Sequence, residues 1–300
     1  MSTFLQLLVY GVQLGSIYAL LAIGYTMVFG IIRMINMAHG DFLMMGSYAA
    51  FFIVSLIFAD TMLVPALALL IVMLSTGITG MIGVGIERVA YKPLRDRPKI
   101  SSMISAIGVS LFIQNLFRAV PFIGPNPRTF PTLIKGVQFE VGGVVLDTAR
   151  LIVIGLTIVI MIVLYFIIMK SQFGLQMRAV SNDKDASALM GVNIDGVISV
   201  TFFIGAGLAA ISGMFYANSY PVIQVTMGST LGIKALTATV FGGIGDIRGA
   251  VLGGYIMGII EILVTTVNSE FAYGASFVIL VLILLLRPEG VLGKPVIEKV

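Results

Sequence analysis

The stretch LIVIGLTIVIMIVLYFIIM, at residues 151–169, decides the fold class of this chain, because no charged side chain lies between Arg150 and Lys170. Its length falls within the roughly 17–25 apolar residues that an α-helix needs to cross a bilayer. Other uncharged runs occupy residues 42–59, 62–86, 100–117 and 271–286, and an apolar run at 249–269 is interrupted by Glu261. The pattern predicts a protein that crosses the membrane many times.

The composition supports a membrane protein. Of the 300 residues, 58% are hydrophobic and 11% are charged, whereas soluble domains carry about 25% charged residues. Residues 1–32 lack the basic start of a signal peptide, so we interpret them as a retained first span. We expect one transmembrane domain over residues 1–300.

The basic residues predict the orientation, because short cytoplasmic loops are rich in Lys and Arg. The most basic loop, which we place in the cytoplasm, contains Arg88, Lys92, Arg95, Arg97 and Lys99. The segment 170–195 and the tail with Arg287, Lys294 and Lys299 should also be cytoplasmic, and residues 118–150 should form an extracytoplasmic loop. About nine spans follow, with the N-terminus outside and the C-terminus inside.

Two segments are too polar for lipid contact, namely residues 33–41 and 222–245. Irregular backbone at membrane depth is tolerated only among other helices, so we expect broken or re-entrant helices there. If one of the two segments is re-entrant, the number of spans is eight or ten instead of nine. Residues 137–141 and 144–146 flank Gly142 and Gly143, which predicts a β-hairpin. The predicted fold is an all-α polytopic membrane protein with about 8–10 transmembrane helices, broken or re-entrant segments and a small extracytoplasmic β-hairpin.

The chemical inventory argues against an enzyme. The chain has one histidine and no cysteine, which leaves little for a metal cluster or a histidine-based triad. It also has no glycine-rich loop ending in Lys-Ser or Lys-Thr that could cradle phosphates. We expect no catalytic site, metal or cofactor on this chain. The basic residues mark topology and do not indicate nucleic-acid binding.

A short capped helix is predicted inside the cytoplasmic segment 170–195. Asn182 suits the N-cap, Asp183 and Asp185 would lie near the positive end of the helix dipole, and Gly191 would end the helix. Residues 186–190 give it an apolar side. Such a helix is suited to docking in the groove of a partner, although an ordinary surface linker would have the same sequence features.

Polar side chains inside the apolar runs are the second set of candidates, since a charge at bilayer depth costs about 2.5–3.5 kcal/mol on insertion scales. Lys234 and Glu261 should pair, either as a structural ion pair or as part of a pathway. Asp41 is expected to cap a helix that starts at Phe42. His39 is expected to be a hydrogen-bonded buried imidazole.

Further interior groups are expected to join helices. Gln114 and Asn115 should make interhelical hydrogen bonds. Small residues repeat at four-residue steps, which permits close helix contact; we expect internal packing, with a seam to another subunit as the alternative. These small residues are Gly11, Gly15, Gly205, Ala209, Gly213, Gly249, Gly253, Gly254 and Gly258.

Residues 185–191, DASALMG, resemble the Glu-Ala-Ala-three residues-Gly loop of ATP-binding cassette (ABC) importer permeases, with Asp in place of Glu and Ser in place of the second Ala. Residues 15–20, 24–30 and 35–41, and later 234–245 and 249–254, resemble LivH-type branched-chain amino acid permeases. The resemblance covers nearly the whole chain.

The resemblance implies a permease subunit in the bacterial inner membrane, surrounded by lipid. Its partners would be a LivM-like permease, two LivG- and LivF-like ATPases that hold ATP and Mg²⁺, and an extracytoplasmic substrate-binding protein. The ATPase-coupling helix would comprise Asn182, Asp183, Asp185, Ala186, Ser187, Leu189 and Gly191. The candidates for a pathway or gate are Asn36, His39, Asp41, Lys234 and Glu261.

The expected cargo is Leu, Ile, Val or a related neutral amino acid. Two alternatives stay open. An ABC permease for urea or short amides would look the same in these residues. A stand-alone secondary transporter or channel would use Glu261 or Asp41 as an ion or proton site.

Overall fold

A computed structural model describes residues 2–58, 64–95, 97–287 and 289–293, and this part of the chain is almost entirely helical. The helices are α1 Ser2–Ile32, α2 His39–Ile57, α3 Pro65–Ile86, α4 Lys99–Ala119, α5 Thr148–Lys170, α6 Gln172–Asn182, α7 Lys184–Leu189, α8 Ile194–Ser219, α9 Met227–Gly242, α10 Ile247–Val267 and α11 Ser269–Leu286. A π-helical turn, Glu87–Tyr91, and a 3₁₀ turn, Lys92–Leu94, follow α3.

Seven of the described helices are long and apolar enough to cross a membrane, namely α1, α2, α3 with its following turns, α4, α5, α8 and α10. The shorter α9 has 16 residues, and α11 contributes the apolar stretch Gly274–Leu286. The predicted all-α polytopic fold is confirmed. Four positions used in the sequence analysis lie outside the described residues. They are residue 59, where one uncharged run ends, residue 62, where the next begins, and Lys294 and Lys299 of the tail.

Helix α1 is the centre of the bundle and packs closely on α10. A Cβ atom on Gly11 would lie 2.8 Å from Cα of Ile259, and one on Gly15 would lie 2.7 Å from Cα of Tyr255. Only a residue without a side chain permits this approach of the two backbones. The other small residues singled out above also face this chain's own helices, so the prediction of internal packing is confirmed.

The first broken segment joins α1 to α2. Residues 33–38 are not helical, and Arg33 has a φ of 56°. Helix α2 starts at His39, whose Nε2 would lie 2.5 Å from a Cβ atom on Gly24 in the interior of α1. The expectation that Asp41 caps a helix starting at Phe42 is wrong, because α2 starts two residues before Asp41 and has no side-chain cap.

The second broken segment is the approach to α9. The uncharged run after residue 196 is divided where predicted, since α8 ends at Ser219 and α9 begins at Met227. The first turns of α9 pack on the start of α2, where a Cβ atom on Gly232 would lie 2.9 Å from Cα of Gly40. The helix starts that follow the two breaks, at Gly40 and Gly232, therefore pack on each other inside the bundle, whereas Met37 and Val222 in the breaks themselves are exposed.

Two small sheets lie at the end of the molecule where α1 begins. Strands β2 Gln138–Val141 and β3 Val144–Asp147 form the predicted hairpin, and the Gln6 side-chain amide on α1 donates to the carbonyl of Val145 at 2.7 Å. Strands β1 Arg128–Thr129 and β4 Val222–Ile223 pair antiparallel, and this sheet was not predicted.

The opposite end of the molecule carries the predicted cytoplasmic segments. There the Arg33 guanidinium donates to the carbonyl of Ser181 at 2.9 Å, and Arg95 reaches Asp195 at 2.5 Å. At 1.5 Å per residue, the 31 residues of α1 separate the two ends by about 46 Å. This separation agrees with the orientation derived from the basic residues.

Candidate functional site

Helix α7 is the water-facing helix expected between two spans, but its cap lies one residue later than predicted. The Asp183 carboxylate accepts a hydrogen bond from the backbone N–H of Ala186 at 3.0 Å, so Asp183 is the N-cap. Asn182 is the last residue of α6. The prediction of Asn182 as the cap is wrong because α6, which was not predicted, continues through it.

The end of α7 agrees with the prediction. Gly191 has a φ of 81°, a left-handed conformation that strains residues with a side chain. Its N–H donates to the carbonyl of Ala188 at 3.0 Å, and the N–H of Val192 donates to Ser187 at 3.0 Å. The chain thus turns sharply and enters α8, whose N-cap is Asn193.

The two faces of α7 differ in burial. Ser187 points inward, and its hydroxyl donates to the carbonyl of Asp183 at 2.6 Å. Asp185 and Ala186 are exposed. Leu189 and Met190 at the tip are 89% and 83% exposed. These two adjacent apolar side chains form a small exposed surface outside the membrane-spanning helices.

Helix α6 holds α7 against the end of the bundle that is predicted to be cytoplasmic. The Ser171 hydroxyl caps α6 by accepting from the N–H of Gly174 at 3.0 Å. Arg178 donates to the carbonyl of Ile168 on α5, and the Ser181 hydroxyl donates to the carbonyl of Gly30 on α1. The position of α7 is therefore fixed by two membrane-spanning helices.

Three pathway candidates, Asn36, His39 and Asp41, meet in the buried break between α1 and α2. Asp41 accepts a hydrogen bond from the Gln114 amide at 3.0 Å, and Asn36 accepts one from the Tyr91 hydroxyl at 2.8 Å. The second carboxylate oxygen of Asp41 and the amide nitrogen of Asn36 have no hydrogen-bond partner among the described residues.

His39 differs from the expectation. Its ring is fully buried, with ring centroids 4.5 Å from Tyr25 and 5.9 Å from Phe42. Neither ring nitrogen has a hydrogen-bond partner of normal geometry among the described residues. Most buried polar groups in proteins are paired. Together with Asn36 and Asp41, His39 therefore forms a group of buried polar atoms without partners among the described residues.

A cavity of about 240 Å³ lies between α1, this break, α4 and α9. Its walls are mostly apolar, with hydroxyl and amide groups at a few points. It is lined by Tyr25, Met37, Ile107, Ser110, Leu111, Gln114, Ser229, Gly232, Ile233 and Leu236. Gln114 links the cavity to Asp41, because its amide contacts both.

The other two candidates form a separate cluster. Lys234 on α9 and Glu261 on α10 make the predicted ion pair at 2.6 Å, with little exposure of either side chain. The Tyr18 hydroxyl on α1 donates to Glu261 at 2.8 Å. Neither charged residue lines the cavity. The geometry favours the structural ion pair over a role in the pathway.

The two expected amide contacts have different outcomes. Gln114 on α4 bonds Asp41 on α2, so its interhelical hydrogen bond is confirmed. Asn115 instead donates to the carbonyl of Leu111 in its own helix at 2.8 Å, and the prediction for it was wrong.

Sequence reasoning missed an ion cluster where α3 ends and α8 begins. Glu87 is fully buried and accepts from the Arg95 guanidinium, which also reaches Asp195. The only signal in the sequence is an acid placed directly after an apolar run, next to a basic loop. From the sequence, Arg95 indicates only the topology of its loop.

A bundle of apolar helices with a polar break and a cavity inside, and a capped, apolar-tipped helix at one end, defines a polytopic membrane transport protein. Residues 7–286 match the family described as branched-chain amino acid transport system / permease component. The chain therefore belongs to this family. It is a multi-pass inner-membrane permease component.

The relatives agree with this family. The chain is 41% identical over 303 residues to the high-affinity branched-chain amino acid transport system permease protein BraD of Pseudomonas aeruginosa, covering 99% of this chain and 98% of the relative. It is 40% identical over 309 residues to LivH of Escherichia coli K12, covering 99% and 98%. A probable LivH of Methanocaldococcus jannaschii is 26% identical over 295 residues, covering 93% and 89%. No solved structure matches.

Proposed function

We propose that this chain is one permease subunit of an ABC importer that carries leucine, isoleucine, valine or related neutral amino acids across the inner membrane. The observation that carries the proposal is α7, a capped helix that buries Ser187 and exposes Leu189 and the following Met190 at its tip. A helix of this kind fits a groove of a second protein. We assign that groove to an ATPase subunit.

ATP and Mg²⁺ bind to the ATPase subunits in this proposal, and this chain holds neither. A second, LivM-like permease completes the membrane part, two LivG- and LivF-like ATPases lie on the cytoplasmic side, and an extracytoplasmic binding protein delivers the substrate. The names of the relatives support the branched-chain substrate class.

The cavity is our proposed half of the pathway. Its volume of about 240 Å³ and its apolar walls suit an aliphatic side chain, while Ser110, Gln114 and Ser229 offer hydrogen bonds to a polar backbone. Asn36, His39 and Asp41 lie behind this surface and Lys234 and Glu261 lie away from it. We therefore keep the first three as pathway or gate residues and assign the last two to stability.

Reconstitution tests the proposal. Proteoliposomes that contain both permeases and both ATPases, with ATP on the ATPase side and binding protein on the other, should take up radiolabelled leucine. The double variant Asp185→Ala/Gly191→Val should abolish this uptake while the permease remains folded and inserted. The matched control is Glu140→Ala/Gly124→Val, which changes an acid and a left-handed glycine (φ 68°) at the opposite end.

Three outcomes would overturn the proposal or part of it. Normal ATP-coupled uptake by the Asp185/Gly191 variant would remove the role of α7. Uptake by the purified single chain under an ion gradient, without ATPases, would make the protein a secondary transporter or channel. Competition by urea or acetamide but not by isoleucine or valine would assign it to amide transport, and binding measurements on the binding protein would identify the substrate.

A further inference from the structure

The ion cluster beneath α3 and α8 fastens two parts of the cytoplasmic surface together. The Arg95 guanidinium donates to the fully buried Glu87 and, at 2.5 Å, to Asp195 in the first turn of α8. Lys92 also reaches Asp195 at 2.7 Å, and the Ser199 hydroxyl donates to Glu87 at 3.1 Å. Separating a buried carboxylate from its cation strongly destabilises a folded protein. The end of α3 and the start of α8 should therefore move as one body.

Helix α7 is joined to this body by a short, hydrogen-bonded link. Only residues 190–193 separate α7 from α8. Within them the N–H of Val192 is bonded to Ser187, and Asn193 caps α8 through the N–H of Gly196 at 3.0 Å. A displacement of α7 is therefore passed directly to the first turn of α8, where Asp195 lies.

The π-helical turn Glu87–Tyr91 connects the ion cluster to the break between α1 and α2. Such turns are rare and are frequent at functional sites. The Tyr91 ring packs on Phe202 of α8 at 5.7 Å, and its hydroxyl donates to the Asn36 side chain at 2.8 Å. The same Asn36 oxygen accepts from the N–H of Ala38 at 3.1 Å. Tyr91 therefore holds the residue that fixes the start of α2.

The start of α2 borders the cavity. Met37 lines it directly, and Asp41 is bonded to Gln114, which is part of its wall. Through Asp195, Arg95, the π-helical turn and Asn36, a continuous series of contacts runs from α7 to this wall.

We propose that Arg95 and Tyr91 are positioning residues that transmit movement of α7 and α8 to the break between α1 and α2, and thereby open and close the cavity. The inference rests on the proposed function. Arg95 joins the two cytoplasmic ends, and Tyr91 passes their displacement to Asn36. Neither residue contacts the cavity.

Removal of one hydroxyl tests the role of Tyr91. Tyr91→Phe keeps the ring on Phe202 and loses the bond to Asn36. The matched control is Tyr255→Phe, which loses a hydroxyl contact of 3.2 Å with Ser16 between α1 and α10. In the reconstituted complex, we expect Tyr91→Phe to lower leucine uptake per ATP hydrolysed by about two- to ten-fold, in line with one hydrogen bond. ATPase binding and ATPase rate should not change, and the control should couple normally.

A second variant tests Arg95. Arg95→Ala leaves Glu87 buried without its cation and risks unfolding, so Arg95→Met/Glu87→Gln removes the charges together. The folded double variant should bind the ATPases and hydrolyse ATP, but with the same loss of uptake per ATP. Normal uptake per ATP in both the Tyr91 and Arg95/Glu87 variants, or an equal loss in Tyr91→Phe and Tyr255→Phe, would overturn the inference.

The absence of cysteine from the chain permits a direct measurement of movement. Ser110→Cys places a thiol on the cavity wall, and its rate of maleimide labelling should change when ATP is added to the complex. The change should disappear when Tyr91→Phe is also present. If ATP still changes the labelling rate to the same extent in the Tyr91→Phe background, the inference is wrong. If the wild-type chain does not bind ATPases at all, the proposed function is wrong instead.

Discussion

Asp183 shows how one side chain sets the geometry of the proposed docking helix. Its carboxylate satisfies the Ala186 N–H while its backbone is extended between α6 and α7. The sequence SNDKD offers Ser181, Asn182, Asp183 and Asp185 as caps, and local propensity does not choose among them. Packing on α1 and α5 extends α6 through Asn182, so Asp183 is left as the N-cap of α7.

Replacement of this cap should weaken the complex. Asp183→Ala removes a contribution of about 0.5–2 kcal/mol to α7, and we expect the affinity for the ATPase to fall by roughly two- to thirty-fold. Titration of detergent-solubilised complex with ATPase subunit measures it. Asn182→Ala is the control and should have little effect; equal losses in the two variants would contradict the assignment of the cap.

The ion pair of Lys234 and Glu261 should contribute to stability rather than to selectivity. Lys234→Met leaves Glu261 with the Tyr18 hydroxyl but without a cation, at a cost of about 3–5 kcal/mol for a broken buried pair. Lys234→Met/Glu261→Gln should recover most of the loss. The unfolding temperatures of both variants in detergent measure this effect. If Lys234→Met is as stable as the wild type but does not transport, Lys234 is a pathway residue.

At the scale of elements, the spans were predictable because an uncharged run of sufficient length has few other uses. The hairpin was also predictable, since Gly142 and Gly143 both adopt positive φ between two β-prone runs. Helix α6 was missed because its amphipathic pattern lies in a polar segment. The pairing of β1 with β4 was missed because strands of two residues leave no pattern in the sequence.

The contact between α1 and α10 provides a test at this scale. Gly15→Leu would force the backbones apart at Tyr255, and we expect low yield and a reduced unfolding temperature in detergent. Gly85→Leu on α3 is the matched control, because no atom of the described residues lies within 4 Å of the added Cβ there. Similar yields and unfolding temperatures for the two variants would contradict the close packing of α1.

For the whole molecule, charge predicts an orientation in the membrane, but the connection between distant parts could not be predicted. Glu87 and Ser199 are 112 residues apart, and Asn36 and Tyr91 are 55 apart. Such contacts depend on the three-dimensional arrangement of helices and leave no local trace. The sequence therefore indicated most candidate residues, whereas it could not say which of them meet.

The orientation can be measured by labelling single cysteines in cells. Glu140→Cys on the hairpin should react with a membrane-impermeant maleimide added outside, whereas Leu189→Cys should react only after the membrane is opened. The cysteine-free wild type is the background. The reverse pattern would invert the topology and would place α7 on the side without ATP.

The apolar tip of α7 also has a consequence for biosynthesis. A chain that leaves the insertion machinery before its partner arrives presents Leu189 and Met190 to the cytosol. Exposed apolar surface promotes aggregation, and chaperones and proteases in the cell remove proteins that expose it. Surplus copies should therefore be short-lived, so that the supply of the ATPase sets how much of this protein accumulates.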